Sequence, residues 1–192
     1  MLNYDPYYEF DDGSYIFQTP GTGLVDKKDK SHVDFITKWI NNDSKLVTIV
    51  GDDNAFISIS LEKYAHRINN NFTIFNVVPI DENRSLCDFN VIRADMWNQN
   101  YLIYNIPDIM QGIITDFLFI DLNKTDYSPE AISKLILHLK KNTIVVLFIC
   151  DKTLYYSYDD YMKVIKENNY CKIIQEKQIP DFPGTYVLLT SK

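Results

Sequence analysis

Lys172-Ile173-Ile174-Gln175-Glu176-Lys177-Gln178-Ile179-Pro180-Asp181-Phe182-Pro183-Gly184-Thr185-Tyr186-Val187-Leu188-Leu189-Thr190 is the stretch that decides the fold. It reads as two strands, residues 172–179 and 186–190, joined by a short Pro/Gly turn. Strands this close in sequence pair antiparallel, because a parallel pair needs a crossover of about a dozen residues or more. Upstream the pattern changes. Apolar runs at 46–50, 72–78, 90–93, 117–120 and 143–150 read as strands, with stretches of helical spacing between several of them. Ser31 is placed to N-cap a helix carrying Val33, Ile36 and Ile40, with Phe35 and Trp39 beside them. Phe56, Ile59, Tyr64 and Ile68 mark a second helix, Ala131, Leu135, Ile136 and Leu139 a third, and residues 158–168 a fourth. The expected class is α/β: a Rossmann-like sheet, mostly parallel, with helices on both faces and a C-terminal antiparallel hairpin strand.

Composition narrows the function. The chain has 192 residues, 46% hydrophobic and 23% charged, which suits one globular domain and excludes disordered or fibrous classes. Glycine is scarce, at 6 residues, and no three of them fit G-x-G-x-x-G or G-x-x-x-x-G-K. A standard Rossmann dinucleotide loop and a P-loop are therefore excluded. Net charge is −7, with Arg67, Arg84 and Arg93 the only arginines, so there is no broad basic footprint for nucleic acid. Cys87, Cys150 and Cys171 are widely spaced and read as free thiols of a reducing cytoplasm. The first ten residues are acidic and aromatic, unlike a signal peptide. No apolar run approaches about 18 residues, so no membrane span is expected.

Residues 1–30 differ from the rest and are read as an aromatic, acidic N-terminal arm, with the main domain at 31–192. Tyr4, Tyr7, Tyr8 and Phe10 precede a turn at 11–14, and Tyr15-Ile16-Phe17 follow it, which predicts a small hairpin. A solvated charge run is expected at 26–30. So many aromatics outside a core need a surface to cover, which makes the arm a lid, or the route to a homodimer or a partner protein.

Ligands of such a sheet sit beyond the carboxyl ends of its strands. After the fourth run stands Phe119-Ile120-Asp121-Leu122-Asn123-Lys124-Thr125-Asp126-Tyr127, and after the fifth Asp151-Lys152-Thr153-Leu154-Tyr155. The first resembles the F-I-D-x-x-K-x-x-Y signature, and the second the D-N-T-L-W motif, of the cation-dependent O-methyltransferases, the caffeoyl-CoA and catechol O-methyltransferase group. Ile179-Pro180-Asp181 to Gly184 is similar to that group's closing L-P-x-G-D-G turn. The likeness spans 31–192 in order of elements and implies a class I S-adenosylmethionine-dependent methyltransferase fold.

The resemblance implies roles residue by residue. Asp121 and Asp151 would hold Mg2+ or another divalent cation, and Lys124 would take the proton of an acceptor hydroxyl. Gly51, Asp52, Asp53, Asn76, Asp95 and Met96 would line the S-adenosylmethionine pocket. This chain departs from the pattern at three places: Lys152 replaces a metal-binding Asn, Ala55 a second glycine, and Val78 lies where a ribose-binding acid is expected. The implied function is transfer of a methyl group to a small hydroxylated acceptor. The alternative is a methyltransferase fold without catalysis that serves as a binding or regulatory subunit. RNA-cap 2′-O-methyltransferases share the fold, but Leu147, Phe148 and Thr185 stand where their second Lys and their Glu belong. Read alone, Asp121 is a turn-capping residue at a strand end, and Asp52 and Asp53 are helix caps. His32, His66 and His138 have no ligand spacing and are expected at the surface or half-buried.

Overall fold

The computed structural model describes residues 7–9, 15–17, 24–25, 27–41, 43–51, 56–68, 70, 72–79, 91–94, 115–124, 127–151, 155–179 and 183–192. Three short strands come first: β1 (Tyr7–Glu9), β2 (Tyr15–Phe17) and β3 (Leu24–Val25), paired antiparallel in that order. The small N-terminal hairpin read from the sequence is β1 on β2, with Tyr7 opposite Phe17. Then follow α1 (Lys27–Ile36), β4 (Leu46–Val50), α2 (Phe56–Arg67), β5 (Thr73–Pro79), β6 (Val91–Ala94) and β7 (Phe117–Asp121). The chain continues through α3 (Pro129–Leu137), β8 (Ile144–Cys150), α4 (Tyr158–Glu167), β9 (Cys171–Gln178) and β10 (Gly184–Ser191).

Strands β4 to β10 form one sheet in the order β6-β5-β4-β7-β8-β10-β9. Neighbours from β6 to β8 are parallel. β10 is antiparallel to both β8 and β9, so the closing hairpin inserts its second strand next to the parallel body. The expected mixed sheet is therefore present, parallel in its body and antiparallel at its closing hairpin.

Side-chain parity explains how the layers assemble, since successive residues of a strand face opposite sides. On β7, Phe117 and Phe119 join Phe35, Ile36, Ile57 and Leu61 of α1 and α2 in one core. Leu118 and Ile120 join Ile132, Leu135, Tyr161 and Ile165 of α3 and α4 in the other. β8 and β10 divide the same way, with Phe148 and Tyr186 on the α1–α2 side and Leu147 and Val187 on the α3–α4 side. A strand covered on both faces reads as a continuous apolar run, which is how β7 and β8 read.

Helix ends follow local chemistry. Ser128 caps α3 by accepting from the Ala131 N–H, with Pro129 in the first turn. Ser157 and Asp160 form a capping box at the start of α4. α1 corrects the sequence reading: it begins at Lys27, so Ser31 is an interior helical residue and the charge run belongs to the first turns. Trp39 and Ile40 lie in the turn beyond Ile36, and Leu139 lies beyond the end of α3. On the outer edge, the β9 pairing shifts register opposite Leu188 and Leu189, leaving Ile174 without a partner on β10. A bulged edge flanked by the exposed Lys172, Glu176 and Lys177 resists addition of a further strand.

Two contacts fix the strand ends. At the amino end, the Asp116 carboxylate accepts from the Lys45 and Leu46 N–H groups at 2.8 and 3.0 Å. Burial alone would raise the Asp116 pKa, but these bonds and the Lys140 ammonium outweigh it and hold the group below its ordinary 3.8. A depressed carboxylate contributes stability above its unfolded pKa and loses it as pH falls. Wild type should therefore lose stability as pH drops through 3.8, and Asp116→Ala should show a shallower loss in urea melts across that range. Equal slopes in the two proteins would remove Asp116 from this role.

At the carboxyl end, a Cβ added to Gly184 would stand 2.5 Å from Cζ of the fully buried Phe148 ring. Phe148 is held in turn against His32 and Tyr186, with ring centroids 4.7 and 5.3 Å away. Gly184→Ala should cost about 1–3 kcal/mol through overpacking. Denaturant unfolding with an unchanged m-value checks this, and wild-type stability would mean that the ring yields.

Candidate functional site

The strand order reverses between β4 and β7. From β4 the chain proceeds outward to β5 and β6, whereas from β7 it proceeds to β8 on the other side. Beyond the carboxyl ends of two such parallel neighbours the connecting segments diverge and leave a crevice, the usual ligand site of an open α/β sheet. Gly51 is the first residue after β4, and Asp121 ends β7. These two residues and Lys124 meet there.

Gly51 has φ +94°, a conformation that side-chain-bearing residues rarely adopt. A Cβ at this position would lie 3.3 Å from the Asp121 carbonyl oxygen and 3.5 Å from Lys124 Cβ. The glycine therefore lets the β4 exit pass directly against the β7 exit. That exit is itself a tight turn: Lys124 N–H donates to the Asp121 carbonyl at 3.1 Å, and Asn123 N–H donates to Asp121 Oδ1 at 2.9 Å. Leu122 N–H donates to the Phe148 carbonyl, tying the turn to β8. The turn-capping reading of Asp121 thus holds together with its place at the crevice.

The Asp121 side chain has a second engagement, with a histidine of α1. Parity along β7 puts residue 121 on the same side as Phe117 and Phe119, toward α1. There His32 Nε2 stands 3.5 Å from Asp121 Oδ2, with the two side chains 0% and 1% exposed. This is ion-pair range rather than a short hydrogen bond. The other ring nitrogen, Nδ1, is 2.8 Å from the Tyr186 hydroxyl. Phe119 and Phe148 pack around the imidazole, and Phe35 stacks on Tyr186 at 4.1 Å. The expectation of a surface or half-buried His32 is corrected: it sits at the centre of the α1–α2 core. Its sequence signal was available in the parity of Asp121, which demands a polar partner on the α1 face.

The remaining candidates divide. Lys124 is half-buried beside Gly51, and Asp151 is exposed after β8. Asn76 lies on β5, paired in register with Ile49 of β4 and Val91 of β6, with its side chain outside the described set. Asp52, Asp53, Asp95, Met96, Ala55 and Lys152 lie outside the described residues. Tyr127, the last residue of the resemblance's signature, belongs to the α3–α4 core at 1% exposure, and burial pushes its phenol pKa upward. Its carbonyl accepts from the Tyr161 hydroxyl, so its part is packing.

A divalent cation fits these residues poorly. Among the described residues no group of three His, Cys, Asp or Glu side chains comes together to hold a metal ion. Asp121, the ligand that the resemblance implies, keeps its carboxylate buried, with Oδ1 on Asn123 and Oδ2 toward His32. The cation expectation thus has no support among the described residues. For S-adenosylmethionine, the described residues at the reversal point offer the side-chain-free backbone of Gly51, packed against the Asp121–Lys124 turn.

Comparison with known proteins gives a consistent fold. No protein-family model matches the chain, and no curated protein sequence matches it. Among solved structures, it is similar to magnesium protoporphyrin IX methyltransferase from Synechocystis PCC 6803 with bound S-adenosylmethionine: 16% identity, TM-score 0.59, covering 90% of this chain and 87% of that one. It is also similar to a fibrillarin/Nop5p complex, at 12% identity and TM-score 0.57, covering 97% and 98%. Human N-acetylserotonin methyltransferase in complex with S-adenosylmethionine aligns at 9% identity and TM-score 0.53, over 83% of this chain and 51% of that one. At these identities the likeness shows the class I methyltransferase fold and does not single out the cation-dependent group.

Gly51→Ala tests the junction. The residue must leave φ +94° or press on the Asp121 carbonyl, so the variant should lose about 1–3 kcal/mol in denaturant unfolding. Stability equal to wild type would mean that the β4 exit relaxes freely and is not held by the β7 turn.

Proposed function

We propose that this chain is an S-adenosylmethionine-dependent O-methyltransferase acting on a small hydroxylated acceptor. The observation that carries the reading is the close approach of Gly51 to the Asp121–Lys124 turn at the reversal of strand order. Bound at this crevice, S-adenosylmethionine would supply an electrophilic methyl group on a sulfonium. Gly51 is assigned to the cofactor side, together with Asp52, Asp53, Asn76, Asp95 and Met96. Lys124 is assigned as the base: its amine takes the proton of the acceptor hydroxyl while that oxygen accepts the methyl, and the Lys ammonium carries the proton away. Asp121 acts on Lys124 through the turn both belong to, holding it by backbone and side-chain hydrogen bonds. In-line methyl transfer needs chiefly positioning, which a rigid turn supplies.

Residues 1–30 are assigned as an arm that covers the domain or meets a second copy or a partner protein. A cytoplasmic setting goes with this reading, supported by the buried free thiol of Cys171. One observation favours a second reading, a methyltransferase fold that binds without transferring: the Asp121 carboxylate is turned inward to His32 instead of toward an acceptor.

Calorimetry with S-adenosylmethionine and S-adenosylhomocysteine tests both readings. Binding of both ligands is expected, with Asn76→Ala weakening it. Failure of either to bind would overturn the cofactor assignment. Transfer of labelled methyl to a panel of small phenols and alcohols then separates the two readings. Lys124→Ala should abolish transfer while leaving cofactor affinity near wild type, and unchanged turnover would remove Lys124 as the base. Binding without transfer by wild type to any member would favour the non-catalytic reading.

A further inference from the structure

We infer that the buried His32 imidazole draws the Asp121 carboxylate into the core, away from the crevice side where a divalent cation would sit, which makes His32 a positioning residue of a metal-independent site. Asp121 is where the resemblance would put a cation. In this chain Oδ2 instead faces His32 Nε2 at 3.5 Å from within a closed aromatic core, and Oδ1 takes the Asn123 N–H. The arrangement runs inward from the crevice in one line of contacts: Lys124 to the Asp121 carbonyl, the Asp121 carboxylate to His32, and His32 Nδ1 to the Tyr186 hydroxyl. Tyr186 lies on β10, opposite Phe148 of β8, so the line crosses from β7 to the antiparallel part of the sheet.

The chemistry selects one arrangement of protons. A carboxylate only accepts, so Nε2 must carry a hydrogen to face it favourably. Nδ1 is then the acceptor for the Tyr186 O–H in the neutral ring, while Nε2, 3.5 Å from Oδ2, faces the carboxylate in an electrostatic contact and not a hydrogen bond. A positively polarised N–H supplied by the chain thus stands on the inner side of Asp121. A cation on the crevice side would have to draw this carboxylate away from His32, which has no solvent exposure. The same contact fixes the Asp121 side chain, and through it the turn that presents Lys124. This role parallels that of outer groups which orient metal ligands, here without the metal.

The effect on the Lys124 turn rests on the methyltransferase reading; the His32–Asp121 pairing does not, so the experiment has two independent arms. In the first, Mn2+ and Mg2+ are titrated into the wild-type chain by calorimetry. Long-range 1H–15N spectra of the labelled histidines are recorded alongside. No saturable cation binding that depends on Asp121 is expected, and His32 should carry its proton on Nε2, with a signal that moves in Tyr186→Phe. Saturable binding lost in Asp121→Asn, or an Nε2 without hydrogen, would overturn the inference whether or not the chain binds cofactor.

In the second arm, S-adenosylhomocysteine affinity and methyl transfer are compared in His32→Gln and His32→Leu at equal folded fraction. Gln retains an N–H for Asp121 and should stay close to wild type. Leu fills the core but offers no N–H, and should lose about tenfold or more in transfer. Equal behaviour of the two variants would reduce His32 to a packing residue. Should wild type bind no cofactor, the methyltransferase reading falls, and the first arm alone decides on His32.

Discussion

The parallel pairing of β4 with β7 is the constraint on which the site depends. Val47 to Val50 lie in register with Phe117 to Ile120, so the two strands end level with each other. Their chains must then leave in opposite directions, one to β5 and the other to β8. Two exits at one level cannot both carry side chains into the same space. Gly51 resolves the crowding by giving up its Cβ and adopting a positive φ, and Asp121 resolves it by turning its carboxylate under the sheet. The crevice is a consequence of topology; its polar lining is a consequence of which residues the crowding permits.

Burying Asp121 carries a desolvation cost that its contacts must offset. An ionised carboxylate without a partner in this core would be destabilising by several kcal/mol, and breaking a buried pair costs about 3–5 kcal/mol. One hydrogen bond to a charged acceptor returns about 1.5–3 kcal/mol, which the Asn123 N–H supplies. His32 faces the other carboxylate oxygen, and Tyr186 meets the ring's second nitrogen. The aromatic packing of Phe119, Phe148, Phe35 and Tyr186 matters here because it fixes the ring plane. A loosely held imidazole would turn its N–H away from the carboxylate. The α1–α2 core therefore stabilises the fold and orients one functional group through the same contacts.

Much of this was legible in the sequence. The continuous apolar runs of β4, β7 and β8 gave strands within a residue of their observed ends because both faces are buried and nothing interrupts the run. The Pro/Gly turn before Gly184 fixed the antiparallel ending by chain length alone. Asp121, Lys124 and Gly51 were singled out by a resemblance to a family's motifs, and the structure brings them together at the ends of β7 and β4. α1 was misread at its start because its first turns, from Lys27 to Lys30, carry charges and no apolar residue; hydrophobic periodicity begins only with Val33. His32 was misread because a histidine's neighbours across a sheet, here Asp121 on β7 and Tyr186 on β10, are set by register and not by local spacing. Tyr127 was drawn into the site by motif resemblance, whereas it packs in the other core.

The scarcity of glycine takes on a different meaning once the site is built. Of six glycines in the chain, Gly51 stands where the two exits touch, and Gly184 where β10 must lie flat beneath the Phe148 ring. Both are close approaches of backbone to β7 or β8, and they bracket the His32 pocket from its two ends: Gly51 packs on the Asp121 turn, and Gly184 on the ring beside His32. A glycine-rich loop would cradle a ligand by adapting to it. These glycines instead lock a carboxylate, an imidazole and a phenol into one geometry before any ligand arrives. Rigidity of that kind suits a site whose orienting charge comes from its own core rather than from a bound ion.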